Sequence, residues 1–339
     1  MRAYSLIAIN NLEYIETDIP NCKEGWAIVK VKASGICSSD IPRVFETGTY
    51  HFPTIPGHEF AGIVEKVGSI DDLKLVGKHV GVFPLIPCKK CLQCKQGHYE
   101  MCSDYDYLGS RRDGGFAEYV AVPVWNLIEI NEQIKFEEAA MLEPLSVALH
   151  AIKNCSLKNS DRVAIVGTGM IGFAAAQWAK VYGVKDVTVI GRSKGKKILA
   201  DRISVNYCVM NSLDDEFDVV IEAVGSNKAV DLSIKLVRPY GTLVLMGNPE
   251  ADIVLAQNTY WRILRKQLHL VGTWNSAYEK GKKCDWSEAI EAIENHRIDV
   301  SGFISHVFDQ SQLKKGLDLM HGHTEPYCKV MTMWNTEDK

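Results

Sequence analysis

Val163-Ala164-Ile165-Val166-Gly167-Thr168-Gly169-Met170-Ile171-Gly172 is the stretch on which the fold turns. Four apolar residues run straight into a G-x-G-x-x-G loop, and Ala174 to Lys180 follow with helical patterning, so strand, loop and helix come in order. Gly167 permits a tight turn, Gly169 lets the backbone approach a pyrophosphate, and Gly172 lets the helix pack on the strand. The helix N-terminus, opening at Met170 and Ile171, supplies amide donors to the phosphates. A dinucleotide site is expected here.

Downstream the same rhythm continues. Arg162 to Gly167, Asp186 to Gly191, Asp218 to Gly225, Gly241 to Gly247 and Leu268 to Trp274 are apolar runs separated by helical ones. That alternation predicts a parallel, doubly wound sheet. About twenty residues past the loop, where a carboxylate would grip both ribose hydroxyls of NAD, the chain carries Gly191-Arg192-Ser193 and then Lys194, Lys196 and Lys197. Arg192, Ser193 and Lys197 suit a 2′-phosphate, which predicts NADP(H) over NAD(H). A solvated basic loop, or Arg192 stacked on adenine, is the other reading of the same residues.

Upstream, the first 145 residues read as an all-β region, with short runs such as Ala27 to Val31, Ala61 to Val67, His79 to Phe83 and Ala117 to Val122 punctuated by Gly and Pro. From Glu143 the pattern becomes helical, with Pro144 suited to a first turn. After Trp274, a helix-like segment Asp285 to Asn295 and a strand-like Cys328 to Trp334 break the alternation and are expected to return to the first domain. The expected organisation is therefore 1–145 with 276–339 as one domain and 146–275 as the dinucleotide-binding one.

Two sets of metal-capable side chains stand in the first region. Cys88, Cys91, Cys94 and Cys102 follow C-x2-C-x2-C-x7-C, and thiolates this crowded can enclose one tetrahedral Zn²⁺ with no place for water, which is a structural site in a lobe at about 86–104. A nucleic-acid-binding zinc ribbon or an iron-sulfur site are the rival readings. Cys37, His58, Glu59 and Glu143 form the second set, with mixed S, N and O donors spread along the chain, as a catalytic zinc with an exchangeable position requires. Singly, each has a bland reading: Cys37 a buried thiol, His58 a turn residue, Glu143 a carboxylate favoured by a helix N-terminus. Ser39 could accept a substrate hydroxyl proton, or merely cap a turn.

Composition is consistent with a two-domain enzyme of small molecules. The 339 residues are 46% hydrophobic, and 38 basic against 42 acidic residues leave −4 with no basic run, so no nucleic-acid surface is expected. No apolar segment is long enough to span a bilayer, and Met1 to Asn10 is too short for a signal sequence. Ten cysteines without that signal imply a reducing, cytoplasmic setting.

Gly57-His58-Glu59, the four-cysteine lobe, Glu143-Pro144-Leu145-Ser146 and the glycine loop together resemble the zinc-dependent medium-chain alcohol and polyol dehydrogenases over nearly the whole chain. Within that family, Cys37-Ser38-Ser39-Asp40-Ile41-Pro42-Arg43, Gly109-Ser110-Arg111-Arg112-Asp113-Gly114-Gly115 and Leu264-Arg265-Lys266 to Trp274 most closely resemble the branch that oxidises polyol phosphates. The resemblance implies a GroES-like catalytic domain plus a Rossmann domain, and catalytic zinc on Cys37, His58 and Glu143 with Glu59 adjacent. It also implies a second, structural zinc and a homodimer or homotetramer. Two departures stand out. Pro42 occupies the place of a relay histidine, and Gly191 the place of the aspartate found in NAD-using members. Arg43, six residues past Cys37, is the first candidate for a substrate phosphate, with Arg111 and Arg112 as further ones. The expected reaction is oxidation of a secondary hydroxyl of a polyol phosphate to the ketose phosphate. An unphosphorylated polyol or 1,2-diol, a pentitol phosphate, or a non-catalytic dinucleotide-binding sensor are the alternatives.

Overall fold

Strand Trp26–Ile36 organises the first unit of the computed structural model, which describes residues 1–210 and 215–335. Nearly every side chain of this strand is buried, because both its edges are paired. One edge takes Glu59–Val67 antiparallel. The other takes Tyr119–Pro123 along its first half and Lys329–Met333 along its second, both antiparallel. His79–Val82 and Leu127–Glu129 extend the sheet on one side and Ile304–Asp309 on the other, giving a seven-stranded sheet. The strand contributed by the chain's end is anchored by Trp334, which is fully buried and donates its indole N–H to Ser34 Oγ at 2.6 Å. Burial of a side chain that size is worth roughly 2–3 kcal/mol.

The region read as all-β also holds short helices, Asp40–Phe45, Leu92–Lys95 and Phe136–Ala139. Each is too short for a 3.6-residue stripe to show in the sequence. Pro42 falls in the first turn of Asp40–Phe45, where its missing N–H leaves no helical bond unmade.

The second unit runs over Pro144–Ser276 with His296–Asp299. Its six-stranded sheet is parallel throughout, in the order Asn206–Val209, Asp186–Gly191, Arg162–Val166, Phe217–Glu222, Val237–Leu245, His269–Gly272. Helix Met170–Val181 begins directly after the glycine loop. Strand Asn206–Val209, half-buried at the sheet edge, is absent from the sequence reading, since its pattern has no apolar alternation.

The first unit comprises Met1–Glu143, Ala277–Asn295 and the chain from Val300 onward. Ala277–Asn295 joins it through an aromatic cluster: Tyr278 Oη donates to the Trp125 carbonyl at 3.0 Å, and Trp286 packs edge-on against Phe83. His296–Asp299 belongs instead with the second unit. There Gln177 and Asp299 exchange two hydrogen bonds, at 3.0 and 2.7 Å, and Arg202 pairs with the Asp299 carboxylate. No disulfide joins any of the ten cysteines. No helix among the described residues is long and apolar enough to cross a membrane.

Candidate active site

His58 is presented by a turn that only glycine can make. Gly57 has φ +91°, and a Cβ there would fall 2.3 Å from the Phe116 ring; Gly114 in turn packs so that its own Cβ would lie 2.0 Å from the Gly57 carbonyl. The next residue, Glu59, opens a strand and pairs with Gly35 of the neighbouring strand, and Cys37 stands one residue past that strand's end. The ligand atoms of Cys37, His58 and Glu59 consequently lie within 4.8 Å of one another.

Asp40, which the sequence reading passed over, underpins this cluster. It is fully buried, accepts the Cys37 amide at 3.0 Å and faces His58 Nδ1 at 3.4 Å. Burial pushes its carboxyl upward, but His58 and Arg43 outweigh that and hold it below the usual range. Burial likewise disfavours charged His58, and here Asp40 and Cys37 prevail, lifting it well above its ordinary value. With Nδ1 engaged, Nε2 is the nitrogen free for a metal.

Arg43 is built into the same scaffold. Its Nη1 lies 3.2 Å from Asp40 Oδ1, 3.0 Å from Ser39 Oγ and 3.4 Å from His58 Nδ1. Ser39 accepts from Arg43 and donates to Cys37 Sγ at 3.3 Å. The guanidinium expected to grip a substrate phosphate is therefore already balanced by Asp40.

Glu143 sits in the first turn of helix Leu142–Lys153, outside the mutually close trio but buried and within electrostatic reach of it. Burial raises its carboxyl to about 7, His58 opposing and Glu59 adding to the effect. Lys329, also missed, donates its buried ammonium to Glu59 and to the Ile36 carbonyl at 3.1 Å. A lone lysine inside the apolar run Cys328 to Trp334 was the available signal. Tyr107, with no sequence signature, packs its ring on His58 at 5.8 Å. Burial raises its phenol well above the ordinary value, and the neighbouring Glu143 adds to this. A thiol, an imidazole and a buried carboxylate converging on one point, with a second buried carboxylate beside them, are the donor set that zinc prefers.

Cys88, Cys91, Cys94 and Cys102 also converge within 4.8 Å. The amides of Cys91 and Cys94 point at Cys88 Sγ and Cys91 Sγ, at 3.4 and 3.5 Å, and the Cys88 amide at Cys102 Sγ, at 3.2 Å. The Cys94 amide pulls the Cys91 thiol down to about 6, whereas burial pushes Cys94 up to about 12. Amide donors aimed at sulfur fit a thiolate cage closed around one ion.

In the second unit the glycine loop has the geometry its motif implies. Gly167 adopts φ +130°, a Cβ on Gly172 would fall 2.2 Å from the Gly167 carbonyl, and Gly169 faces open space. Met170 and Ile171 open the helix behind it. At Gly191 a Cβ would fall 2.1 Å from Tyr207 Oη, so the position of the missing carboxylate is filled by a phenol. Arg192 and Ser193 are exposed, and Tyr207 Oη donates to the Ser193 carbonyl at 2.5 Å. Lys197 is committed to Asp201 at 2.6 Å, while its neighbour Lys196 reaches over the glycine loop to the Thr168 carbonyl at 2.9 Å.

Arg112 pairs with Asp106, and Arg111 lies between the rings of Tyr50 and Tyr105. The amides of both arginines donate to the Tyr107 carbonyl at 3.0 Å.

Residues 23–132 match the alcohol dehydrogenase GroES-like domain, and residues 171–295 match the zinc-binding dehydrogenase domain. The chain is 35% identical to galactitol 1-phosphate 5-dehydrogenase of Escherichia coli (strain K12) over 308 residues, 86% of this chain and 88% of that protein. The crystal structure of galactitol-1-phosphate dehydrogenase from E. coli superposes with a TM-score of 0.90 at 31% identity, covering 98% of this chain and 100% of that one. Two more solved structures at 27% identity cover 98% of this chain. One is a short chain alcohol dehydrogenase (rspB) of E. coli CFT073 with NADH, at TM-score 0.89 and 99% of its own chain. The other is a zinc-binding dehydrogenase of Sinorhizobium meliloti 1021 with NADP, at 0.88 and 98% of its own chain. The GroES-like and Rossmann architecture, the metal-type donor sets and these relatives agree: this chain belongs to the zinc-dependent medium-chain alcohol and polyol dehydrogenase family.

Proposed function

We propose that the protein oxidises a secondary hydroxyl of a polyol phosphate to the ketose phosphate, with NADP(H) as the preferred coenzyme. The observation that carries the reaction is the convergence of Cys37, His58 and Glu59 within 4.8 Å, with Glu143 buried beside them. Cys37, His58 and Glu143 would hold the catalytic ion, with Glu59 alongside, and the four cysteines a second one. Zinc, when bound, supplies Lewis acidity to the substrate oxygen, and the nicotinamide supplies the hydride acceptor. Asp40 keeps His58 in one orientation and one tautomer. Ser39, held between Arg43 and Cys37 Sγ, would accept a hydrogen bond from the substrate hydroxyl, whose proton is released to solvent as the alcohol is oxidised.

The coenzyme preference rests on Gly191, whose neighbour Tyr207 leaves no room for a ribose-binding carboxylate, and on Arg192, Ser193 and Lys196 around it. Solved relatives hold either coenzyme. Similarity to a galactitol 1-phosphate dehydrogenase supports the phosphorylated substrate. The second unit's sheet ends in an exposed edge strand, His269–Gly272, which carries exposed Leu270 and lies near exposed Trp274, Tyr260 and Leu264 in sequence, and this supports a homodimer or larger assembly through that edge. Ten cysteines with no disulfide among them support a cytoplasmic setting.

The test is a spectrophotometric screen of polyols and polyol phosphates with each coenzyme, together with metal analysis. Two zinc ions per chain, one in Cys94→Ser, and turnover of a hexitol phosphate are expected. One zinc in the unaltered protein and no turnover would reject the assignment in favour of a non-catalytic dinucleotide-binding module.

A further inference from the structure

Three arginines were available for a substrate phosphate, and two of them are already neutralised. Arg43 is balanced by buried Asp40, and Arg112 by Asp106. Arg111 differs: among the described residues no carboxylate comes within ion-pair distance of it. Its guanidinium lies between two phenol rings, 4.2 Å from the Tyr50 centroid and 4.5 Å from that of Tyr105. Nη2 donates to Tyr50 Oη at 3.3 Å, and Nε is buried with no acceptor.

Phenol rings stabilise a cation without cancelling its charge. The N–H groups of a guanidinium lie in its plane and form a fork that suits bidentate contact with phosphate, and two rings this close favour keeping that fork charged. Tyr50 Oη already accepts from Arg111, so its own proton is available to the same anion. A buried N–H without an acceptor is uncommon in a native protein and marks a place where a partner is missing. Tyr50 itself is 69% exposed, so one wall of the sandwich opens to solvent.

The sandwich is tied to the metal centre through one turn. The Arg111 amide donates to the Tyr107 carbonyl at 3.0 Å, and the Tyr107 ring packs on His58. The loop that carries Tyr50 is pinned to the same turn, by the Tyr50 amide on the Ser110 carbonyl at 3.3 Å and by His51 Nε2 at 3.1 Å from the Arg111 carbonyl. Tyr107 thus links Arg111 to His58 in one chain of contacts.

We infer that Arg111, with Tyr50 and Tyr105, forms the anion clamp for the phosphate of the substrate, and that Arg43 positions the metal ligands instead. The inference deepens the proposed function and rests on its phosphorylated substrate.

The experiment compares kcat/KM for a hexitol 1-phosphate and for the unphosphorylated hexitol in the zinc-loaded protein, the Arg111→Ala and Arg111→Lys variants, and Tyr50→Phe, with inorganic phosphate as competitor. Loss of one charged contact should lower the phosphorylated-to-unphosphorylated ratio roughly 10- to 100-fold in Arg111→Ala. Arg111→Lys, which keeps the charge without the planar fork, should fall between. Tyr50→Phe, which keeps the ring, should lower the ratio severalfold. Inorganic phosphate should compete with the phosphorylated substrate in the unaltered protein and far less in Arg111→Ala. A high ratio in the unaltered protein that all three variants preserve would overturn the clamp while leaving the proposed substrate standing. A ratio near one in the unaltered protein would overturn the phosphorylated substrate itself, and the clamp with it. Should Arg111→Ala fail to fold, Tyr50→Phe and the phosphate competition still decide.

Discussion

Lys329 and Glu59, 270 residues apart in sequence, form a buried ion pair in which the side chains are 4% and 2% exposed. A buried charge that loses its partner is costly, while removing both partners is much less so. Lys329→Met is expected to lower the unfolding free energy of chelator-treated protein by about 3 kcal/mol, and Lys329→Met combined with Glu59→Gln to recover a large part of it. Denaturant midpoints of the two variants measure this, and equal losses would contradict the pairing.

Asp40 should matter to metal retention more than to folding of the strands around it. Removing a carboxylate that orients a ligating histidine typically weakens metal binding by about 10- to 100-fold. Asp40→Asn is expected to lose the catalytic zinc to a competing chelator at correspondingly lower chelator concentration, with the zinc on the four cysteines unaffected. Parallel loss of both ions would point to general unfolding.

Gly191 cannot simply be given the carboxylate that NAD sites carry. A Cβ there would fall 2.1 Å from Tyr207 Oη and 2.7 Å from Thr168 Cγ2. Gly191→Asp alone is expected to destabilise by about 1–3 kcal/mol through overpacking. Adding Tyr207→Leu should restore most of that and move the kcat/KM ratio toward NAD by about tenfold. A single Gly191→Asp that switched coenzyme without loss of stability would refute the role given to Tyr207.

Asp218 sets an acid limit on stability. It accepts the Arg162 amide at 2.7 Å and Arg238 Nε at 2.6 Å. Burial alone would raise its carboxyl, but these contacts outweigh it and hold the group below the usual range. A folded-state value below the unfolded one, about 3.9, means the stabilisation is present above that pH and is lost as pH falls through the folded value. Asp218→Asn should therefore cost about 1–2 kcal/mol at pH 7, a gap that closes toward pH 3. Urea midpoints across pH 3 to 7 check the closure.

The dinucleotide half was the most legible part because its signals are local. Val163 to Gly172 carries strand, turn and helix in ten consecutive residues, and the four cysteines lie within one short lobe. What escaped reading is set by contacts at long range or by helical phase. Asp40 sits in a six-residue helix whose burial only the assembled sheet decides. Lys329 becomes meaningful when strand Lys329–Met333 lands beside Trp26–Ile36. Lys196 and Lys197 differ by one residue, about 100° around a helix, and that rotation sends one to Thr168 and the other to Asp201. Arg43 looked free in the sequence because nothing there shows that Asp40 Oδ1 lies 3.2 Å away.

The strand Lys329–Met333 has a consequence for biosynthesis. On a ribosome, Cys37, His58 and Glu59 emerge long before the lysine that balances Glu59, so the nascent catalytic unit must wait with one sheet edge unpaired and one acid uncompensated. Maturation of this centre is thereby coupled to synthesis of residues 329–333, and a message truncated shortly before codon 329 would yield a polypeptide that is a natural client for chaperones and proteases.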